Sequence, residues 1–174
     1  MVMTFKEMYA FLKNLEEKNM TKHPGGTYVC ANLSRQSKDA LGKWVEENNI
    51  PSPADPKQYH TTITYSRKGI PTVTDHKFDL PIKGKIIKWK IFPAQDNKKC
   101  LVAVVDSPDL EHYHTEIQTQ YGAQYDYPDY IPHITVSYDY PSNSVPKILP
   151  ALDITYDKIK IEPLDIDYTS VKED

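Results

Sequence analysis

Apolar and polar positions along the chain fall into short alternating runs separated by stripes of helical period. Phe5, Met8, Leu12 and Leu15 make the first stripe, and the capping-box pair Thr4 and Glu7 opens it, which predicts an amphipathic helix over residues 5–19. Pro24-Gly25-Gly26 breaks that helix. Val29, Ala31 and Leu33 then alternate with Tyr28 and Asn32, the pattern of a strand over 27–33. Ser34 is placed as a helix N-cap, and Ala40, Leu41, Trp44 and Val45 form the apolar stripe of a helix reaching Asn49. Pro51, Pro53 and Pro56 forbid its continuation. After this proline-bearing loop, residues 59–66 alternate as a strand.

The same order then repeats. Residues 77–92 read as one or two strands containing Ile86, Ile87, Trp89 and Ile91, and Asp96-Asn97-Lys98 turns the chain into a strand over 99–106. Its run Leu101-Val102-Ala103-Val104-Val105 suits burial on both faces. Ser107 and Pro108 supply an N-cap and a first-turn proline for a helix carrying Leu110, His114, Ile117 and Tyr121, which should stop at Gly122. A tyrosine-rich loop leads into a strand over 132–139, and a last strand is expected over 154–161. Ser34 to His60 and Ser107 to His133 are both intervals of 26 residues (60 minus 34, 133 minus 107). Two equivalent strand–helix–loop–strand units packed about a pseudo-twofold axis are therefore expected: a single domain spanning 1–174, α+β and bilobal, with mixed or antiparallel sheets flanked by helices.

Composition narrows the partners. With 21 basic and 24 acidic residues the formal net charge is -3, which gives no field to attract a long nucleic acid, although a local pocket can still hold a small nucleotide. Cys30 and Cys100 lie inside apolar runs and read as buried free thiols. With no C-x-x-C pair, signal-peptide pattern or membrane-length apolar stretch, a cytoplasmic protein that does not enter a membrane is expected. Thirteen tyrosines offer flat faces with polar tips, a chemistry suited to bases and sugars.

Two segments carry the candidate chemistry. His60-Thr61-Thr62-Ile63-Thr64-Tyr65 and His133-Ile134-Thr135-Val136-Ser137-Tyr138 agree in chemical kind at every position except the second. On a regular strand, alternate residues share a face, so His60, Thr62 and Thr64 are expected together, as are His133, Thr135 and Ser137. Cleaving a phosphodiester needs a base for the attacking oxygen and an acid for the departing one, on opposite sides of phosphorus. Two imidazoles, each with an ordinary pKa near ~6.5, meet that need at neutral pH. Threonine hydroxyls can donate to the non-bridging phosphate oxygens. The scheme requires no metal or other cofactor. A lone H-x-T would carry little information; its duplication in matching contexts points to one shared site.

Other residues are weaker candidates. Tyr28 and Trp89 lie on expected strands near the motifs and offer surfaces for base stacking, with core packing as the alternative. The loop from Tyr125 to Tyr130 can serve as a lid or pack on the scaffold. His112 and His114 are two apart on a helix and point to different faces, so His114 is assigned to the core edge and His112 to solvent. His23 and His76 have no evident partner and are read as surface residues.

The paired H-x-T strands resemble the 2H phosphoesterase superfamily, with the likeness running from Tyr28 to Tyr138. In size and flanking residues the chain is most similar to phage anti-CBASS proteins of that superfamily. The resemblance implies a pseudo-symmetric bilobal fold and metal-independent cleavage of 3′-5′ bonds in cyclic di- and trinucleotides, which silences a bacterial defence signal in the host cytoplasm. By the same resemblance, His60, Thr62, His133 and Thr135 take the catalytic positions. It also favours base contacts for Tyr28 and Trp89, and a role for Glu162 in reading the exocyclic amine of adenine. An RNA-end or linear 2′,3′-cyclic phosphodiesterase, or a sponge that binds such nucleotides without cutting them, is the alternative. No protein partner is indicated.

Overall fold

The computed structural model describes residues 4–6, 25–125, 127 and 129–163. Strand β1 (Thr27–Leu33) is followed by helix α1 (Arg35–Glu47), strand β2 (His60–Ser66), strand β3 (Ile82–Pro93), strand β4 (Lys99–Asp106), helix α2 (Pro108–Tyr121), strand β5 (His133–Ser137) and strand β6 (Asp153–Pro163). Most of the expected first helix, residues 5–19, lies outside the described residues.

Both helices begin where their capping residues allow. The Ser34 side chain accepts from the Ser37 amide at 3.2 Å, and Ser107 accepts from the Leu110 amide at 3.2 Å. Pro108 occupies the first turn of α2, and Gly122 ends that helix in the left-handed conformation at φ 64. α1 stops at Glu47, with Asn48 as its C-cap.

The six strands form one sheet in the order β2-β1-β6-β3-β4-β5, and the described pairs are all antiparallel, with no parallel pair to make the sheet mixed. Reading this order from either end gives the same pattern, so β2, β1 and β6 correspond to β5, β4 and β3. The seam between the halves is short: Ile82 to Lys85 pair with Tyr156 to Asp153, after which β3 continues beside β4 and β6 beside β1. Both helix caps dock on this seam. The Ser107 hydroxyl donates to the Lys83 carbonyl at 2.7 Å, while the Ser34 amide donates to the carbonyl of Thr155, the residue paired with Lys83. Gly84 sits beneath them because a Cβ there would lie 2.5 Å from Val105.

One face of the sheet meets both helices in a continuous core. Val29, Ala31 and Leu33 of β1, Ile86 and Trp89 of β3, and Leu101, Ala103 and Val105 of β4 pack there with Leu41 and Val45 of α1 and Leu110 and Ile117 of α2. Burial of such apolar side chains contributes about 1.5–3 kcal/mol each relative to exposure. Trp89 belongs to this core. It is 7% exposed, its ring lies 5.5 Å from that of Trp44, and its indole N–H donates to the Ile148 carbonyl at 2.9 Å. The expectation that Trp89 contacts substrate is therefore overturned, because a bulge at Ile87 puts Trp89 on the same face as Ile86, where Trp44 and the Ile148 carbonyl hold the indole in the core.

The sheet is also strongly curved. Six strands about 4.8 Å apart would hold the outer two roughly 24 Å apart if flat. Instead the Thr61 hydroxyl of β2 donates to the His133 carbonyl of β5 at 3.0 Å. Curvature brings the motif strands together.

Candidate active site

Each motif strand carries a bulge at the same place. Val29 pairs with Thr64 and Cys30 with Thr62, so Ile63 is the additional residue in β2; Leu101 pairs with Ser137 and Val102 with Thr135, so Val136 is the additional residue in β5. The bulge reverses the alternation beyond it. Thr64 and Ser137 consequently leave the histidine face that simple alternation gave them. Thr64 is fully buried and accepts from the Gln118 amide at 2.7 Å, while buried Ser137 donates to the Pro51 carbonyl at 2.8 Å. Carbonyls at the two bulges are satisfied by the opposite unit: His114 of α2 donates to Ile63 at 2.7 Å, and the Ala54 amide donates to Val136 at 2.8 Å. Each bulge carbonyl is thus satisfied from across the axis, by donors that are not equivalent: a side chain of α2 for Ile63 and a loop amide for Val136.

His60 and His133 are oriented by one device. The Nδ1–H of His60 donates to the Gln58 carbonyl at 2.8 Å, and that of His133 donates to the Ile131 carbonyl at 2.7 Å. A carbonyl can only accept, so Nδ1 bears the hydrogen and each neutral ring carries its lone pair on Nε2. Burial pushes both imidazoles below their ordinary pKa, and the positive charge of His60 adds to the depression at His133. The carbonyl bonds oppose this shift at both rings, and at His60 the Lys160 and Lys38 charges lower the pKa while Glu162 raises it.

Neighbouring strands extend each histidine into a row across the sheet. His60 stands beside Asn32 and then Lys158, and Thr62 beside Cys30 and then Lys160. His133 stands beside Val104 and then Lys88, and Thr135 beside Val102 and then Lys90. Tyr28 pairs with Glu162, and its phenol shares a 3.1 Å hydrogen bond with the Thr62 hydroxyl. Its ring meets that of His60 edge-on at 6.5 Å. Phe92 presents an edge-on contact to His133 at 4.9 Å and packs with buried Cys100, Val102 and Val104.

The structure therefore brings together His60, Thr62, His133, Thr135, Tyr28 and Glu162, and excludes Trp89. Sequence reading missed Asn32, Phe92, Lys158 and Lys160, although alternation along their strands places each on the histidine face once the bulges are known. Tyr130, in the tyrosine-rich loop, donates to the Thr62 carbonyl at 2.7 Å and stacks on His114 at 4.1 Å. This part of the loop braces the first motif. His114 is at the core edge as expected, while His112 pairs with Glu116 at 3.0 Å. His76, read as a surface residue, is instead held between Glu116 and the Tyr121 hydroxyl. Both cysteines are buried, and burial raises the Cys30 thiol to about 11.

Comparison with known proteins places this arrangement. The family model for anti-CBASS protein Acb1 matches residues 25–171. The chain belongs to the Acb1 family. It is 33% identical over 146 residues to anti-CBASS protein Acb1 of Vibrio phage KVP40, covering 83% of this chain and 91% of that protein. The Enterobacteria phage T4 relative is 36% identical over 115 residues, covering 66% of this chain and 72% of that protein. Among solved structures, TT0787 of Thermus thermophilus superposes with a TM-score of 0.57 at 15% identity, covering 78% of this chain and 86% of that one. Escherichia coli LigT complexed with NADP+ superposes with a TM-score of 0.57 at 11% identity, covering 80% and 87%. These structural likenesses show that this Acb1-family chain shares its bilobal α+β fold with TT0787 and LigT.

Proposed function

We propose that His60, Thr62, His133 and Thr135 form the active site of a metal-independent phosphodiesterase that opens 3′-5′ bonds of cyclic di- and trinucleotide signals. The enzyme class and the anti-CBASS role come from membership of the Acb1 family. The observation that carries the site assignment is the pair of Nδ1-anchored histidines on equivalent bulged strands that meet across the pseudo-twofold axis.

In this reading the ribose 2′-hydroxyl next to the scissile phosphate is the nucleophile. One histidine takes its proton through Nε2 as the O2′–P bond forms; the other, protonated at Nε2, gives its proton to the departing 5′-oxygen as the P–O5′ bond breaks. The first product is a 2′,3′-cyclic phosphate with a free 5′-hydroxyl. Water opens that ring when the two histidines exchange roles. Thr62 and Thr135 donate to the non-bridging oxygens, where negative charge concentrates in the transition state. Lysines in both rows offer positive charge to the remaining phosphates, while Tyr28 and Glu162 face a base. The host-cell cytoplasm is the compartment in which such a substrate would be met, and among the described residues no helix is long and apolar enough to cross a membrane.

Product chromatography tests the proposal. Purified protein in chelator is incubated separately with a 3′3′-cyclic dinucleotide, a cyclic trinucleotide and a linear oligonucleotide ending in a 2′,3′-cyclic phosphate. Linearised products from the cyclic substrates are expected. Cleavage of only the linear end would favour an RNA-end enzyme, and intact ligand recovered after denaturation would favour a sponge.

A further inference from the structure

The second position of the six-residue motif is where the copies diverge: Thr61 in the first and Ile134 in the second. Thr61 is 1% exposed and faces the core, away from the site. Its hydroxyl nevertheless reaches the opposite motif, donating to the His133 carbonyl at 3.0 Å. The same oxygen lies 2.7 Å from the phenol oxygen of fully buried Tyr156, a seam residue of β6 paired with Ile82 of β3. With the Thr61 proton committed to a carbonyl, the phenol must be the donor. The relay runs from Tyr156 O–H to Thr61 O–H to the backbone of His133.

Strand register explains why His133 needs this partner. The Val105 amide bonds the Pro132 carbonyl at 2.9 Å, so the next pair, Val104 with His133, is the non-hydrogen-bonded kind. In such a pair the backbone groups point away from the neighbouring strand. The His133 carbonyl is therefore directed out of β4 and toward β2, where the Thr61 hydroxyl meets it.

We infer that Thr61 is a positioning residue that sets His133 relative to His60 by tying the backbone of one catalytic strand to the side chain of the other. The inference rests on the functional reading above. Ile134, lacking a donor, cannot return the bond to β2, so this tie runs one way across the axis. Tyr156 orients it: burial raises its phenol well above the ordinary tyrosine range, which keeps the proton in place throughout the working pH range.

Thr61→Val keeps the shape and removes the hydroxyl; Thr61→Ser keeps the donor. A small displacement of a reacting group is enough to lower rate about 10²-fold, so Thr61→Val should lose about 10- to 100-fold in kcat with KM little changed. Thr61→Ser should recover to within about threefold of wild type. The second readout uses no substrate: the His133 ring followed by NMR through a pH titration should move back toward its ordinary pKa in Thr61→Val and stay at the wild-type value in Thr61→Ser. Wild-type kcat and His133 titration in Thr61→Val would overturn the inference, as would a Thr61→Ser enzyme as slow as Thr61→Val. If Thr61→Val fails to fold, Tyr156→Phe provides the test, with reduced kcat at unchanged KM expected and wild-type kcat overturning it. If the wild-type protein leaves cyclic dinucleotides intact, the functional reading falls, and the His133 titration still decides this inference.

Discussion

His60 and His133 are held by the same Nδ1–H bond to the carbonyl two residues back, on strands bulged at the same position, yet the rows they stand in differ. Beside His60 the surface is polar, with Asn32 next in the row and Lys160 and Glu162 close by, their side chains 3.4 Å apart. Beside His133 it is apolar, with Val104 next in the row and the Phe92 edge against the ring. Backbone geometry, the His-x-Thr pairs and the lysines at the far end of each row are duplicated, while the residues next to the rings are not. Under the proposed chemistry this would separate tasks: the symmetric parts would supply acid–base catalysis, and the asymmetric parts would distinguish one end of a ligand from the other.

The largest test of the symmetry is removal of either ring. His60→Ala and His133→Ala should each cost about 10²- to 10⁴-fold in turnover while calorimetry still detects binding of the uncleaved cyclic dinucleotide. Near-normal turnover by one variant would break the equivalence of the lobes. Trp89→Ala sharpens the contrast between the histidine face and the core: about 3–5 kcal/mol of stability should be lost in urea denaturation, with KM unchanged for the protein that remains folded. A raised KM at full stability would return Trp89 to the site. Thr62→Val and Thr135→Val should each lower kcat about 10²-fold, and a much larger effect from one would show that only one lobe stabilises the transition state.

A smaller effect is expected from pH. The base must be deprotonated and the acid protonated, so activity peaks between their two pKa values. Both rings are lowered by burial, and the kcat/KM profile of the free enzyme should therefore peak below the ordinary imidazole value of ~6.5. Glu162→Gln should lower the His60 pKa further, since the carboxylate raises it, and should leave His133 almost unmoved. Equal movement of both rings in an NMR titration would contradict the asymmetry of their surroundings.

Much of this was readable from residue order. The caps at Ser34 and Ser107, the stop at Gly122 and the strand periods fixed the repeated unit, because each depends on local backbone chemistry. The 26-residue interval aligned the histidines. What alternation alone could not reveal were the bulges: an additional residue at Ile63 or Val136 leaves a β-branched pattern that still reads as regular, so Thr64 and Ser137 were assigned to the wrong face. Trp89 was misplaced for a related reason, since a bulge at Ile87 sets its face and its burial depends on Trp44 and Ile148, which are distant in sequence. His76 likewise gains its partners only through the packing of α2.

If one histidine from each lobe acts in a single reaction, as proposed, the decisive comparison is of His60→Ala, His133→Ala and the double variant on a 3′3′-cyclic dinucleotide in chelator. Groups that work as a unit lose most of their effect when the first is removed. The double variant should be about as slow as either single one. Losses that multiply, or a single-histidine variant that still linearises the ring at the wild-type rate, would contradict a shared site.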